Sequence, residues 1–120
     1  MLLRNTPLPK VLPFDSASLP AYLKAAKALL PAGAEDTILE AQGADPLPIN
    51  GWRSYRFAIS YTIANTQMRD CLTFLNVSGG QQIVVQTSAR LNFFKAIVAR
   101  ADDIIRRWHE VLPGSENEVN

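Results

Sequence analysis

Few side chains in this sequence belong to the types that carry catalytic chemistry. The chain of 120 residues has one histidine, His109, and one cysteine, Cys71. Acid–base catalysis by His109 needs a second group that orients its ring. Its neighbour Glu110 would point about 100° away around a helix. We therefore expect His109 to lie on the surface in the last turn of a helix, where a cation complements the helix dipole.

Cys71 falls in the middle of a predicted strand. A reactive thiolate needs nearby positive charge or a helix N-terminus. Arg56 and Arg69 could share a sheet face with Cys71, but we favour a small, inert side chain. One cysteine also excludes an internal disulfide and a thiolate metal cluster within one chain. The spacings HExxH, CxxC, GxGxxG and GxxxxGK do not occur, so the sequence predicts no catalytic residue, no metal and no cofactor.

Asp70 fits its predicted surroundings least well. In the strand pairing described below it falls on an apolar sheet face, opposite Tyr61. A buried carboxylate is costly unless it is hydrogen-bonded. We expect the sheet to be open to water at Asp70. The alternative is that Asp70 accepts a hydrogen bond from the Tyr61 hydroxyl, and that the two residues mark a polar pocket between sheet and helices.

The strongest strand pattern is the alternating segment 54–64, SYRFAISYTIA. Alternation of this kind predicts a half-buried strand. The segments QMRDCLTFLNV and QQIVVQTS follow, with turns predicted at Asn65–Thr66 and at Gly79–Gly80. This register pairs Phe57 with Phe74, and a slip of one residue would move every side chain to the other face. The side chains of this strand that we predict to be buried are those at odd-numbered positions: Tyr55, Phe57, Ile59, Tyr61 and Ile63.

The alternate side chains of these strands point to the opposite face of the sheet. They form a surface that mixes polar and apolar residues. We expect this second sheet face to be covered by the N-terminal arm, by the first helix or by a second copy of the protein. An uncovered face is the alternative, and it is common in antiparallel sheets. The candidate binding residues on it are Arg56, Ser60, Thr62, Arg69, Thr73 and Gln86.

Two amphipathic helices flank the strands, at 18–30 and 93–112. We expect both to pack on the Tyr55/Phe57/Phe74 face. A proline-rich arm is predicted at 1–14, a broken strand at 36–49 and a polar tail at 115–120. The predicted fold is α+β, with an antiparallel meander sheet of about four strands. An N-terminal helix and a long C-terminal helix pack on one face of that sheet, and residues 1–120 form one domain.

Charge and hydropathy exclude several classes of partner. The 12 basic residues nearly balance the 11 acidic ones, giving a formal net charge of +1. A nucleic-acid-binding protein usually shows a basic excess or stripe, so no nucleic acid is expected. No run approaches the ~18 apolar residues that span a membrane. The first residues lack the ~7–15-residue apolar run of a signal peptide. We expect a cytoplasmic protein and leave its native start open.

The segments GWRSYRF, RDCLTFLNVSGGQQIVVQTS and FFKAIVARADDIIRRW, within residues 51–108, resemble the second half of the PsbP-like superfamily. That group includes extrinsic proteins of the oxygen-evolving complex, Ran-binding nuclear import factors and many small bacterial proteins. The resemblance implies a strand meander against a closing helix, with Gln81–Ser88 leading through Ala89 to Phe93 and Phe94. The longer N-terminal strands of the family have no counterpart here. The pattern contains no catalytic residue to carry over.

These observations favour a small non-enzymatic binding or accessory protein, with self-association as a homodimer through the second sheet face. The alternative is a small-molecule-binding domain or enzyme with a pocket near Asp70 and Tyr61. A secretion-type chaperone has a similar size, but such chaperones tend to be acidic and this chain is nearly neutral. Fold alone does not choose among these functions.

Overall fold

The chain forms a five-stranded antiparallel sheet with one helix before the meander and one after it. The computed structural model describes residues 1–44, 51–91 and 94–108. The predicted α+β meander is confirmed, in the sheet order β1-β5-β4-β3-β2. A fifth strand is added because the start of the proline-rich arm pairs with β5. The elements are β1 (Leu2–Asn5), α1 (Leu19–Ala28), β2 (Glu35–Ala44), β3 (Ser54–Ile63), β4 (Thr66–Val77), β5 (Gln81–Arg90) and α2 (Phe94–Trp108).

The first hairpin turns at Ala64 and Asn65, which have φ of 49° and 63°. Two left-handed residues make a turn whose twist matches that of the flanking strands. The predicted turn at Asn65–Thr66 is therefore wrong, and Phe57 pairs with Leu72 instead of Phe74. The displacement along β4 is two residues, so every side chain keeps its predicted face.

The second hairpin has a three-residue loop, Ser78–Gly80, where a two-residue turn was predicted. Phe74 consequently pairs with Val84 and not with Val85. A displacement of one residue moves all of β5 to the opposite face. The predicted placement of Gln86 on the same sheet face as Arg56 is wrong for this reason.

The two helices lie on opposite faces of the sheet, so the prediction that both pack on one face is wrong. On one face, which we call the α1 face, Tyr22 of α1 joins a buried cluster with Phe57 and Phe74. On the other, the α2 face, Ile105 of α2 packs against Leu75 and Val85. The displaced register explains the difference, because it gives the second face an apolar strip that α2 can cover. This strip includes Leu75, Ile83 and Val85.

The proline-rich arm lies across the α1 face. After β1, its side chains Leu8, Leu12 and Phe14 are half-buried against the core of that face. The Tyr22 hydroxyl donates a hydrogen bond to the Leu12 carbonyl and accepts one from Gln82 Nε2 at 2.9 Å. One side chain thus joins the arm, α1 and β5.

The apolar stripe predicted for the C-terminal helix is present on α2, where Ala101 and Ile105 are buried. Trp52 is half-buried against the same cluster. The side chain of Trp108, the ring of His109 and the tail 115–120 lie outside the described residues. In the part of the chain that the structure describes, no helix combines the length and the apolar character needed to cross a membrane.

Candidate functional site

Asp70 lies in the middle of β4 on the α1 face and has no exposed surface. The Tyr61 hydroxyl donates to Oδ1 at 2.6 Å, and Gln86 Nε2 donates to Oδ2 at 2.7 Å. The expectation that Asp70 is open to water is wrong, and the alternative arrangement with Tyr61 is present. Ile59 stands directly opposite Asp70, and Tyr61 reaches it from the next position on the same face. Two donors offset much of the cost of burying the carboxyl group.

Burial is the main reason why the pKa of Tyr61 lies well above its usual range, and the hydrogen bond to Asp70 raises it further. The phenol therefore stays protonated at neutral pH and serves as a fixed donor. In the hydrogen bond between the two residues, Tyr61 is the donor and Asp70 is the acceptor. This arrangement favours a positioning role over proton transfer.

Gln86 connects this buried pair to α1. Its Nε2 also donates to the carbonyl oxygen of Leu29, at 3.0 Å, just beyond the end of the helix. Both amide hydrogens are thus used. The Oε1 of Gln86 is buried and accepts no hydrogen bond. Leaving such an acceptor unsatisfied costs about 1–3 kcal/mol.

An open cleft of about 330 Å³ lies beside Gln86, between β1, β5 and the C-terminal end of α1. Leu2 pairs with Gln86 and Arg4 with Val84, so Leu2 and Arg4 lie on the α1 face. The Nε of Arg4 is buried and has no hydrogen-bond partner. The volume lies at the lower end of the range for small-molecule sites, about 300–1,000 Å³. The lining residues are Met1, Leu2, Arg4, Leu29, Pro31, Gln86 and Ser88.

Arg56, a candidate binding residue, instead fastens α2 to the sheet. Its guanidinium makes a two-pronged ion pair with Asp102, at 3.1 Å to Oδ2 and 2.5 Å to Oδ1. Its Nε donates to Thr73 Oγ1 at 3.0 Å. Planar pairing of this kind fixes orientation as well as distance. The contacts of Arg56 and Thr73 are therefore explained by a structural role, which is to hold α2 on the sheet.

Cys71 lies beside this ion pair and is buried. Burial raises the pKa of the Cys71 thiol, and the positive charge of Arg56 opposes this only in part. A thiol with a raised pKa is a poor nucleophile at neutral pH. The geometry agrees with the interpretation of Cys71 as an inert side chain.

Ser60, Thr62 and Arg69 lie on the β2 side of the α2 face and are half-buried. The Ser60 hydroxyl donates to Glu40 Oε1 at 2.7 Å, and Arg69 Nη2 is 3.6 Å from the same oxygen. A second open cleft, of about 300 Å³, is lined in part by Ile38, Ser60 and Thr62. The candidate residues are thus divided. Arg56 and Thr73 hold α2, Ser60 and Thr62 line the second cleft, Arg69 pairs with Glu40, and Gln86 belongs to the opposite face.

Sequence reasoning missed Arg4 and Leu29 as neighbours of Gln86. Arg4 belongs to the arm, and its pairing with β5 carries no local signal. Leu29 was predicted only as part of the amphipathic helix at 18–30. Among the described ranges, no group of three or more histidine, cysteine, aspartate or glutamate residues is placed to hold a metal ion.

The fold and the two clefts define an antiparallel α+β protein with a helix on each sheet face and a polar cleft beside the N-terminal helix. Comparison with protein-family models, curated proteins and solved structures finds no match. The resemblance to the PsbP-like superfamily therefore has no support beyond the sequence pattern.

Proposed function

We propose that this protein is a non-enzymatic binding domain and that the cleft beside Gln86 is its small-molecule site. The observation that carries this proposal is that three polar residues of two neighbouring strands, Arg4, Gln86 and Ser88, line the cleft together. The site adjoins Asp70 and Tyr61, where the sequence predicted a pocket.

The surroundings of Gln86 favour a binding role. Its two N–H groups are held by Asp70 and by the Leu29 carbonyl, which fixes the amide plane and the direction of Oε1. A preorganised polar group on a rigid strand loses little entropy when a ligand arrives. Among the described residues lining the cleft there is no histidine, cysteine or carboxylate to act as a base. This lining supports binding more than catalysis.

A fragment titration tests the site. Small amides, amines, alcohols and carboxylates added to isotopically labelled protein should shift the amide resonances of Leu2, Leu29 and Ser88 in NMR spectra. The variant Leu2→Trp should abolish these shifts, because the indole would fill the cleft. Leu3→Trp is the matched control, since Leu3 is the next residue of β1 and faces the other side of the sheet. The two residues have similar exposure, 49% and 42%.

Two results would count against the binding site. One is that no fragment shifts these three resonances at millimolar concentration. The other is that Leu3→Trp suppresses the shifts as strongly as Leu2→Trp does. Circular dichroism of both variants establishes that each keeps the fold before the titrations are compared.

Self-association through the α2 face remains a second proposal. It is now confined to the part of that face around Ile38, Ser60 and Thr62, which α2 leaves open. Ile38 supports it, because this large apolar side chain is 57% exposed beside Ser60 and Thr62. Leu91, which is also exposed, lines the same cleft, and contiguous apolar patches rimmed by polar residues mark interaction sites. If the dimer forms, sedimentation equilibrium should show it for the native chain and for Leu2→Lys, and only monomer for Ile38→Lys. A native chain that stays monomeric at high concentration would remove the proposal.

A further inference from the structure

We propose that two copies of the chain associate face to face, with α2 of each copy packed on the second cleft of the other. That cleft is the one lined in part by Ile38, Ser60 and Thr62 on the α2 face. The helix contributes the side that carries Arg100 and Ile104, which we call its outer flank. This inference rests on the proposed self-association and names the surface that fills the open part of the α2 face.

The second cleft combines an exposed apolar patch with negative charge. Ile38 and Leu91 are 57% and 40% exposed, and both line it. Asp36 and Glu40 belong to the same lining. Glu40 lies 3.6 Å from Arg69 Nη2, whereas Asp36 forms no ion pair with any residue that the structure describes. A complementary surface therefore presents an apolar side chain next to a positive charge.

The outer flank of α2 has this composition. Ile104 is 47% exposed, and Arg100, one turn before it, is also exposed. Residues four apart in a helix are neighbours on its surface. Within the described ranges, no carboxylate lies at ion-pair distance from Arg100. Asp103 is exposed beside Ile104, but it already has a partner within its own chain.

The position of α2 on the sheet explains why a second copy is needed. Ile105 packs against side chains of β4 and β5, and Asp102 pairs with Arg56 of β3. Ile104 is two positions after Asp102 and therefore about 200° around the helix from it. The outer flank thus points away from β3 and from the second cleft of its own chain. A two-fold axis parallel to the strands, between two facing α2 faces, would bring each outer flank over β3 and β2 of the other copy.

Charge favours this arrangement over a contact of cleft against cleft. The latter would bring Asp36 and Glu40 of the two copies together, and like charges in an interface are unfavourable. Packing of α2 on the cleft places Arg100 near Asp36 and Ile104 near Ile38. A two-fold contact uses the same surfaces of both copies and closes at two, so each dimer contains this contact twice.

The test is a charge reversal made in two different chains. Arg100→Glu and Asp36→Lys are studied separately and as an equimolar mixture by sedimentation equilibrium. Each variant alone should raise the Kd of the dimer at least about tenfold, because both contacts then join like charges. The mixture should form a heterodimer of nearly native affinity, since both of its contacts again join opposite charges. Asp36 has a φ of 52°, so Asp36→Asn is added: asparagine tolerates this conformation, and loss of the charge should weaken the dimer less than its reversal does.

Lys24→Glu is the matched control, because Lys24 is an exposed base of α1 on the other side of the sheet. It should leave the Kd unchanged, and circular dichroism establishes that every variant keeps the fold. Native affinity in Arg100→Glu, or a mixture that binds no more tightly than its components, would overturn the inference. If Ile38→Lys abolishes the dimer and Arg100→Glu does not weaken it, the inference fails and self-association stands. If the native chain is monomeric at high concentration, both fail.

Discussion

Replacing Asp70 with leucine should lower the free energy of unfolding by about 2–4 kcal/mol, because two buried donors lose their acceptor at once. Both donors, Tyr61 Oη and Gln86 Nε2, now bond to the Asp70 carboxyl group, and Asp70 has no exposed surface. Urea unfolding followed by circular dichroism measures the change. The loss is large against a typical total stability of about 5–15 kcal/mol.

A matched triple variant separates this cost from simple loss of packing. Asp70→Leu combined with Tyr61→Phe and Gln86→Leu removes the donors together with their acceptor. Buried polar networks replaced as a whole by apolar groups are often neutral or even stabilising. We therefore expect the triple variant to regain most of the stability that Asp70→Leu loses. Equal stability of Asp70→Leu and the native chain would show that the network is not needed for stability.

Replacing Tyr22 with alanine should be the most damaging single change outside the Asp70 network, at about 3–5 kcal/mol. Tyr22 is fully buried, and its ring lies 5.0 Å from that of Phe74 and 5.2 Å from that of Phe14. Its hydroxyl also joins Leu12 to Gln82. The variant should both lower the midpoint of urea unfolding and release the arm for cleavage by protease at native conditions.

Tyr22→Phe is the control for this prediction. It keeps the ring but removes the hydroxyl, so it should cost only about 1–2 kcal/mol. If Tyr22→Phe and Tyr22→Ala are equally destabilised, the hydroxyl rather than the ring holds the arm. If protease cleaves the arm equally fast in the native chain, the arm does not depend on Tyr22.

The strands, and the side chains of SYRFAISYTIA that point into the core, were predictable from the sequence. Successive side chains of a strand point to opposite faces, so alternation of apolar and polar residues is a local signal. The registers were less predictable. Nothing in the sequence separates a turn at Asn65–Thr66 from one at Ala64–Asn65, since both segments contain an asparagine that tolerates positive φ. That error was harmless because it displaced the pairing by two residues.

The error at the second hairpin had consequences. The SGG segment suits a two-residue or a three-residue loop equally well, and the difference decides the face of every β5 side chain. The predicted two-residue turn placed Gln86 on the sheet face opposite to Asp70, so the second hydrogen-bond donor to the Asp70 carboxyl group was not predicted. It also hid the apolar strip that receives α2. One residue of loop length therefore accounts for most of what was wrong about the site.

The cleft itself had no local signal at all. Its walls are Arg4 from the arm, Leu29 from the end of α1 and Gln86 from β5. These elements meet only in the folded chain. Sequence reasoning found Asp70, which accepts a hydrogen bond from Gln86 behind the cleft, because a carboxylate in an apolar pattern is itself an anomaly.

The position of β1 has a consequence for how the protein is made. Leu2 and Arg4 pair with Gln86 and Val84, which lie more than 75 residues further along the chain, whereas the β3–β4–β5 meander joins neighbours in sequence. Closing so long a loop is entropically costly, and such pairings form late in folding. On the ribosome, Arg4 is synthesised long before its partner strand exists. We therefore expect the meander to form before β1 docks on the edge of β5, so that the cleft is completed late in folding.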